Sequence, residues 1–525
     1  MPCPSLSKFQ HYSLTDGTDV RITSSASNES RSESVVGVNP TNKQNLICAS
    51  KKFINPQKYY FTISTSYSAD GGATWKESPP AMPQGWDGMT DPDLTFDHHG
   101  NAYLIVEPIK FTPNGPQDIV GMGMYVYRSK DGGKTWDAPV ELHPDASDDK
   151  QWIDADTNPG SPFYGNIYAV WGANTPLRFS RSKNQGKNWK GVGNSPSGTQ
   201  VAPQGCFAPS LCIGPDGVIH VSWHQPATGA IMYTRSTDGG DSFEPVTTPI
   251  TGISSLHNFL PSTGGFPHFP NGTFRVMTLV TSCMAAGNRL VVAWADFREG
   301  VSRIYYRIAT NSGTSWLGPA SGQPLLSGFI KAGQQHFHPQ LTTAANESVG
   351  CVFYEFGPKA GKNLIDVKLS QSCNDGGSFS YPTTITDTPW DPAVNAPWSH
   401  GNSSVTFIGE YFGIGAFDDA FAVVWTDTRT GVQELFFDRG SLVAVWQPPQ
   451  VPSEVLTILA GVIQDGGGIV IIGGKVIRVP PWDPGIDILH ALVAIDSVSQ
   501  IKNDGAAEAL SNLNKIIANV ANERG

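Results

Sequence analysis

Three stretches of the chain place a carboxylate at the same offset behind an apolar run: Trp294-Ala295-Asp296-Phe297-Arg298, Phe353-Tyr354-Glu355-Phe356-Gly357 and Trp425-Thr426-Asp427-Thr428-Arg429. Asp296 with Arg298, and Asp427 with Arg429, read as ion pairs that each tie a loop, with the two arginines kept as candidate binding cations. Glu355 differs, because Gly357 stands where its arginine would be. A carboxyl without a local cation in a partly desolvated cleft keeps its proton to higher pH and can act as general acid or base. Glu355 is therefore a catalytic candidate, with a solvated loop residue as the plain alternative.

Four further stretches bring polar and aromatic groups together. Asp148-Asp149-Lys150-Gln151-Trp152 combines acids, a cation and a ring, a set suited to stacking on a sugar face while bonding its hydroxyls. Gln335-His336-Phe337-His338 offers two imidazoles, Glu410-Tyr411 an acid and a phenol, and His224 ends an apolar run. His336 joins the catalytic candidates; Lys150, Trp152, His224, His338 and Glu410 are binding candidates beside Arg298 and Arg429. Two histidines alone fall short of a metal site. No cofactor is expected, and a structural divalent cation is left open.

The elements that must position these residues follow from a repeat. Ser129-Lys130-Asp131-Gly132-Gly133-Lys134-Thr135-Trp136 recurs, with variations, at 68–75, 182–189, 236–243, 309–316 and 372–379. Each copy reads as a tight turn between strands: Asp or Asn takes amides ahead of it, and Gly tolerates positive φ. Copies roughly 50 to 70 residues apart mark a repeat array. Between them run strand-turn-strand patterns, for example 34–38, 45–53 and 60–67 in the first repeat. A seventh unit without the turn motif spans 411–416, 420–425 and 432–438, and residues 19–23 read as a strand that closes a ring.

The motif resembles the Asp-box of sialidase-like β-propellers over about residues 20 to 440. That resemblance implies an all-β fold, here a seven-bladed β-propeller, with six blades as the alternative if 250–275 is an insertion. It also implies that Asp70 and Asp131 are structural and face away from the active site, and that ligands meet loops near the central axis. The sialidase nucleophile pair would fall on Tyr411 with Glu355, and its acid on Asp149. Sialidases themselves have six blades, and Arg21-Ile22-Thr23 stands where they carry Phe-Arg-Ile-Pro, which argues against strict sialidase activity. The expectation is a carbohydrate-active enzyme cleaving a glycosidic bond by hydrolysis or elimination. Its rivals are a non-catalytic lectin and a small-molecule enzyme of specialised metabolism.

Composition limits the partners. The net charge is -11 and there is no basic run, which disfavours nucleic acid. The chain has no apolar stretch long enough to span a bilayer, and its first residues lack the apolar core of a signal peptide. A carbohydrate or other small molecule in a cytoplasmic or non-classically secreted protein is the expectation. Seven scattered cysteines indicate no disulfide scaffold. Residues 1–18 read as an extension, 19–446 as the propeller and 447–453 as a linker. Residues 454–525 read as a hairpin (469–472 with 475–479) and two helices (487–498, 506–520), through which a homodimer could form.

Overall fold

The computed structural model describes residues 11–14, 18–24, 29–112, 119–326, 333–380, 382–445, 468–472 and 475–479. The expected linker and both C-terminal helices lie outside them. The described residues fall into two units, one within Ser13–Leu442 and one that includes the chain beyond Val443.

The larger unit is a succession of antiparallel sheets in which chain order equals spatial order, because each short turn returns the chain beside the strand it has just left. The first sheet is Arg31–Val38, Leu46–Asn55, Tyr60–Ser68 and Lys76–Glu77. The second is built on Gly88–Phe96, Ala102–Phe111, Met124–Ser129 and Val140–His143. A seven-stranded sheet follows, in which the long strand Thr199–Ile213 serves twice. Its first half pairs back on Ala173–Ser182 and its second half pairs forward on Ile219–Gln225. Sheets built on Val280–Ala285, Arg289–Asp296 and Arg303–Thr310, and on Gln335–Thr343, Val349–Lys359 and Lys362–Ser372, come next. The last comprises Gly413–Ala416, Ala420–Asp427 and Glu434–Val445. Val20–Arg21 adds to Glu434–Val445, so the expected closing strand pairs as such.

The leading strand of each group neighbours the leading strand of the next, and Gly413–Ala416 returns to Arg31–Val38. The ring is thus closed, and its core is the apolar packing between facing sheets, such as Ile47, Leu104 and Tyr127 between the first two and Val291, Val352 and Trp425 in a cluster that runs through the last three.

The repeated turns behave as their chemistry predicts. In the first, the Ser68 hydroxyl donates to Asp70 Oδ1 at 2.8 Å and accepts the Gly72 amide at 2.9 Å, while Asp70 Oδ1 takes the Thr74 amide at 2.9 Å. Asp131, Asp238, Asn184 and Asn374 repeat the pattern. The 309–316 copy departs from it, since Ala309 supplies no hydroxyl and Thr314 instead donates its amide to the Asn311 carbonyl. First and third strands of a sheet run in the same direction, so these turns share a face with the ends of the leading strands.

In the second unit, Gly468–Ile472 and Lys475–Val479 pair as an antiparallel hairpin from Gly468↔Val479 to Ile472↔Lys475.

Candidate active site

At the other face the leading strands begin with a shared irregularity. Glu33, Asp91, Ala208 and His338 have φ of 50°, 50°, 48° and 50°, and the pairing register slips just beside each one. Lys150 has φ 57° at the same point before Gln151–Ala155. Left-handed backbone at a residue with a Cβ costs about 1 kcal/mol or more, and a bulge re-aims the side chain it carries. Here the effect is convergence. Strands far apart in sequence deliver Glu33, Asp91 and Lys150 to one place.

The cluster they form is dense. Lys51 Nζ lies 2.5 Å from Glu33 Oε2 and 3.2 Å from Asp91 Oδ1. Lys150 Nζ lies 2.8 Å from Asp91 Oδ2, 2.6 Å from Glu410 Oε2 and 3.9 Å from Glu33 Oε1. Arg275 Nε closes the chain at 3.0 Å from Glu410 Oε1. All six side chains are at most 8% exposed. Rings cover them: Lys51 Nζ sits 4.5 Å from the Phe61 centroid and 4.8 Å from that of Phe407, and the Arg275 guanidinium lies 4.3 Å from the Phe407 ring.

Burial sets the carboxyl groups against one another. It opposes charge on Asp91, yet Lys150 and Lys51 hold that carboxyl well below the usual range. It opposes charge on Glu410 too, where Arg275 and Lys150 bring the value down to about 2. At Glu33 burial, aided by the Asp91 charge, pushes the carboxyl up to about 7. Asp149 is pushed up to about 6 by burial and by Asp91, with which it shares a side-chain hydrogen bond. Glu107 is raised well above its ordinary value by burial and by Asp149 and Asp91. Burial opposes the charge on Lys150, but Asp91, Glu410 and Glu33 hold it well above its ordinary value. One cluster therefore holds carboxyls that keep a proton near neutrality beside carboxylates that do not, the arrangement that separates acid from base in enzymes.

The structure separates the sequence candidates. Asp149, Lys150 and Glu410 belong to the cluster. His338 borders it, with Glu410, Arg275 and Lys150 acting on a ring that burial keeps neutral, its value brought down to about 3. His224 is likewise buried and neutral, 5.4 Å from the His257 ring. Tyr411 and Trp152 lie in an apolar waist with Phe207 and Leu279, ring centroids 5.5 Å apart, and the Tyr411 hydroxyl donates to the Pro92 carbonyl at 3.2 Å. Burial and the charges of Glu33 and Asp91 raise that phenol well above its ordinary range.

Glu355 is the main correction. It was expected to lack a partner and to hold its proton; instead its carboxylate meets Lys359 and Lys368, each at 3.3 Å, and His336 Nε2 at 3.1 Å. Burial opposes its charge, but Lys368, His336 and Lys359 bring it well below the ordinary carboxylate range. The lysines come from positions 4 and 13 residues on, across a hairpin that a search for a neighbouring arginine does not inspect. His336 is occupied by the same contact. Arg298 pairs with Asp296 and lies 4.1 Å over the Tyr305 ring. Arg429 holds Asp427 and Asp19, each at 2.6 Å, so it ties the closing segment down. Both arginines are thus committed within the fold.

Glu33, Lys51, Asp91, Glu107 and Arg275 escaped the sequence reading. Aligning strand starts would have placed Glu33 and Asp91 beside Lys150. Lys51 looks like half of a solvated Lys51-Lys52 pair, and Arg275 comes from an irregular segment with no repeat counterpart. Among the described residues no group of three or more His, Cys, Asp or Glu is arranged to hold a metal ion.

No family model matches this chain. No curated protein matches it either. Among solved structures, a protein of unknown function from Dyadobacter fermentans is 17% identical, covering 67% of this chain and 97% of its own, with a TM-score of 0.45. The NanB sialidase of Streptococcus pneumoniae is 12% identical over 64% of this chain and 66% of its own, TM-score 0.41. An α-L-arabinanase of Penicillium chrysogenum is 14% identical over 69% of this chain and 97% of its own, TM-score 0.38. These likenesses, to sialidases and an arabinanase among others, are distant.

Proposed function

We propose that the protein is a carbohydrate-active enzyme that cleaves a glycosidic bond at the mouth of a seven-bladed Asp-box propeller, the seven strand groups being its blades. One observation carries the reading: carboxyls shifted in opposite directions from their ordinary values, Glu33 and Asp149 raised and Asp91 and Glu410 lowered, are gathered around Lys150. Asp149 is the proton donor to the leaving oxygen. Asp91, held ionised by two lysines, stabilises positive charge that develops on the sugar ring and takes part as base or nucleophile. Lys150 and Arg275 fix the carboxylates in place.

The test is a glycan and polysaccharide panel read by mass spectrometry, on wild type and Asp149→Asn. Wild type is expected to release a product, with added water for hydrolysis or with unsaturation for elimination. Asp149→Asn is expected to lose about 100-fold or more in turnover while still retaining the glycan. Retention without product from wild type would make the protein a lectin, and neither retention nor product would end the carbohydrate reading.

A further inference from the structure

Below the apolar waist, on the side of the Asp-box turns, the axis widens into a cavity of about 380 Å³. It extends toward Ile213, Met284, Thr343 and Ile414 at the ends of leading strands. Its volume is in the range of small-ligand sites. Phe207, Leu279, Trp152 and Tyr411 pack as one apolar cluster, of which Trp152 and Tyr411 also line the cavity.

The chemistry of its lining is one-sided. Asp93 and Asp154 line it, and among the described residues lining it there is no Lys, Arg or His. Asp93 Oδ2 accepts the Ile153 amide and Asp154 Oδ1 the Ala155 amide, both at 2.8 Å, but neither carboxyl meets a cation. The Ser210 and Ser282 hydroxyls bond to each other at 2.8 Å between neighbouring strands of the wall, and Gln340 and Thr342 add polar groups. Trp152 and Tyr411 supply aromatic surface to its lining. The buried acids Glu33, Asp91 and Glu410 each have a lysine or an arginine against them among the described residues. This pair has none.

We propose that the axial cavity is a binding site for a small organic cation bearing a primary or quaternary ammonium group. The ammonium sits against Asp93 and Asp154, where carboxylates lack a counter-charge, and the carbon skeleton lies against Trp152, whose ring face attracts cations. Hydroxyl and amide oxygens of Ser282 and Gln340 take the remaining N–H or C–H contacts. This site is separate from the proposed catalytic cluster and does not depend on it.

The site carries its own proton signature. Burial pushes Asp93 and Asp154 each up to about 7, with Asp154 acting on Asp93 and Asp156 on Asp154. The other titratable groups facing them are Tyr411, Cys212 and Cys283, which burial keeps protonated through neutral pH, and Asp91, which is ionised. A bound cation favours the charged carboxylates, so affinity rises as pH rises through neutrality.

Isothermal titration of the full chain with putrescine, ethanolamine and choline, at pH 6 and pH 8, tests this. At least one is expected to bind, about tenfold or more tightly at pH 8 than at pH 6. Asp154→Asn keeps the bond to the Ala155 amide and is expected to weaken binding about tenfold. Thr342→Phe fills the cavity and is expected to abolish it. Thermal unfolding of each variant confirms that it is folded. The proposal is overturned if none of the three amines binds, or if binding is unchanged in Asp154→Asn. It is equally overturned if the cavity responds only to calcium, magnesium or alkali ions, or only to neutral sugars.

Discussion

Asp131 and Asp91 are the same residue type 40 positions apart, and they do opposite work. Asp131 stands on an exposed turn, takes the Ser129 hydroxyl at 2.9 Å and the Thr135 hydroxyl at 2.6 Å, and recurs with little change around the ring. Asp91 is buried between two lysines, at a strand start where Glu33 is the acid of the first sheet while Ala208 and His338 stand in later ones. Short-range hydrogen bonds to neutral donors hold the first in place. Long-range charge in a desolvated space governs the second. In a repeat protein the ring demands sameness, so the turn motif reports the fold, and groups that break the sameness are where chemistry can be found.

The largest expected effect breaks the comparison at its buried end. Lys150→Met would leave Asp91 and Glu410 without their shared cation. Removing one partner of a buried pair typically costs about 3–5 kcal/mol, so urea unfolding should show a loss of that size. A loss under about 1 kcal/mol would mean that water already screens the cluster as it screens a surface pair, and the contrast with Asp131 would vanish.

A pH profile sharpens the same contrast. Glu33 and Asp149 have folded-state values of about 7 and about 6, above those of the unfolded chain. Between about pH 4.5 and 7 the native state therefore binds more protons than the unfolded state, and these groups make stability fall as pH rises. Asp70 is shifted the other way, its carboxylate favoured by the Thr74 hydroxyl and amide, so its contribution is lost as pH drops below its unfolded value. Glu33→Gln should flatten the decline between pH 4.5 and 7, by at most about 1.4 kcal/mol per pH unit. An unchanged slope would show that Glu33 is ionised beside Lys51.

What could be read from the chain divides along the same line. The turn motif and the two-residue alternation around it were enough to expect an all-β ring, and even the closing strand at Val20–Arg21, because these depend on neighbours in sequence. Lys150 and Glu410 were reached because each lies at the entry to a leading strand, where a repeat alignment points. Glu355 was misjudged for the complementary reason: its charge is fixed by Lys359, Lys368 and His336, which the hairpin and the adjoining strand bring up. Arg275 left no trace at all, since it enters from an irregular segment and its meaning comes only from Glu410 and the Phe407 ring. Pairing across sheets, which holds Asp91 and Glu410 ionised, is not encoded in local pattern.

The smallest expected effect lies at the exposed end of the comparison. Asn184 and Asn374 already occupy the aspartate position in two turns, and both keep the serine hydroxyl and the amide four residues on. An amide oxygen can accept what a carboxylate oxygen accepts, while the second atom becomes a donor, which Asn374 Nδ2 uses toward Ser378 at 3.0 Å. Asp131→Asn should therefore cost less than about 0.5 kcal/mol, whereas Asp131→Ala, which discards the bonds altogether, should cost about 1 kcal/mol. Neither should alter turnover, because the turn lies on the face opposite the charged cluster. If Asp131→Asn cost as much as the alanine variant, the turn would depend on charge rather than on geometry, and the division between structural and reactive aspartates would have to be redrawn.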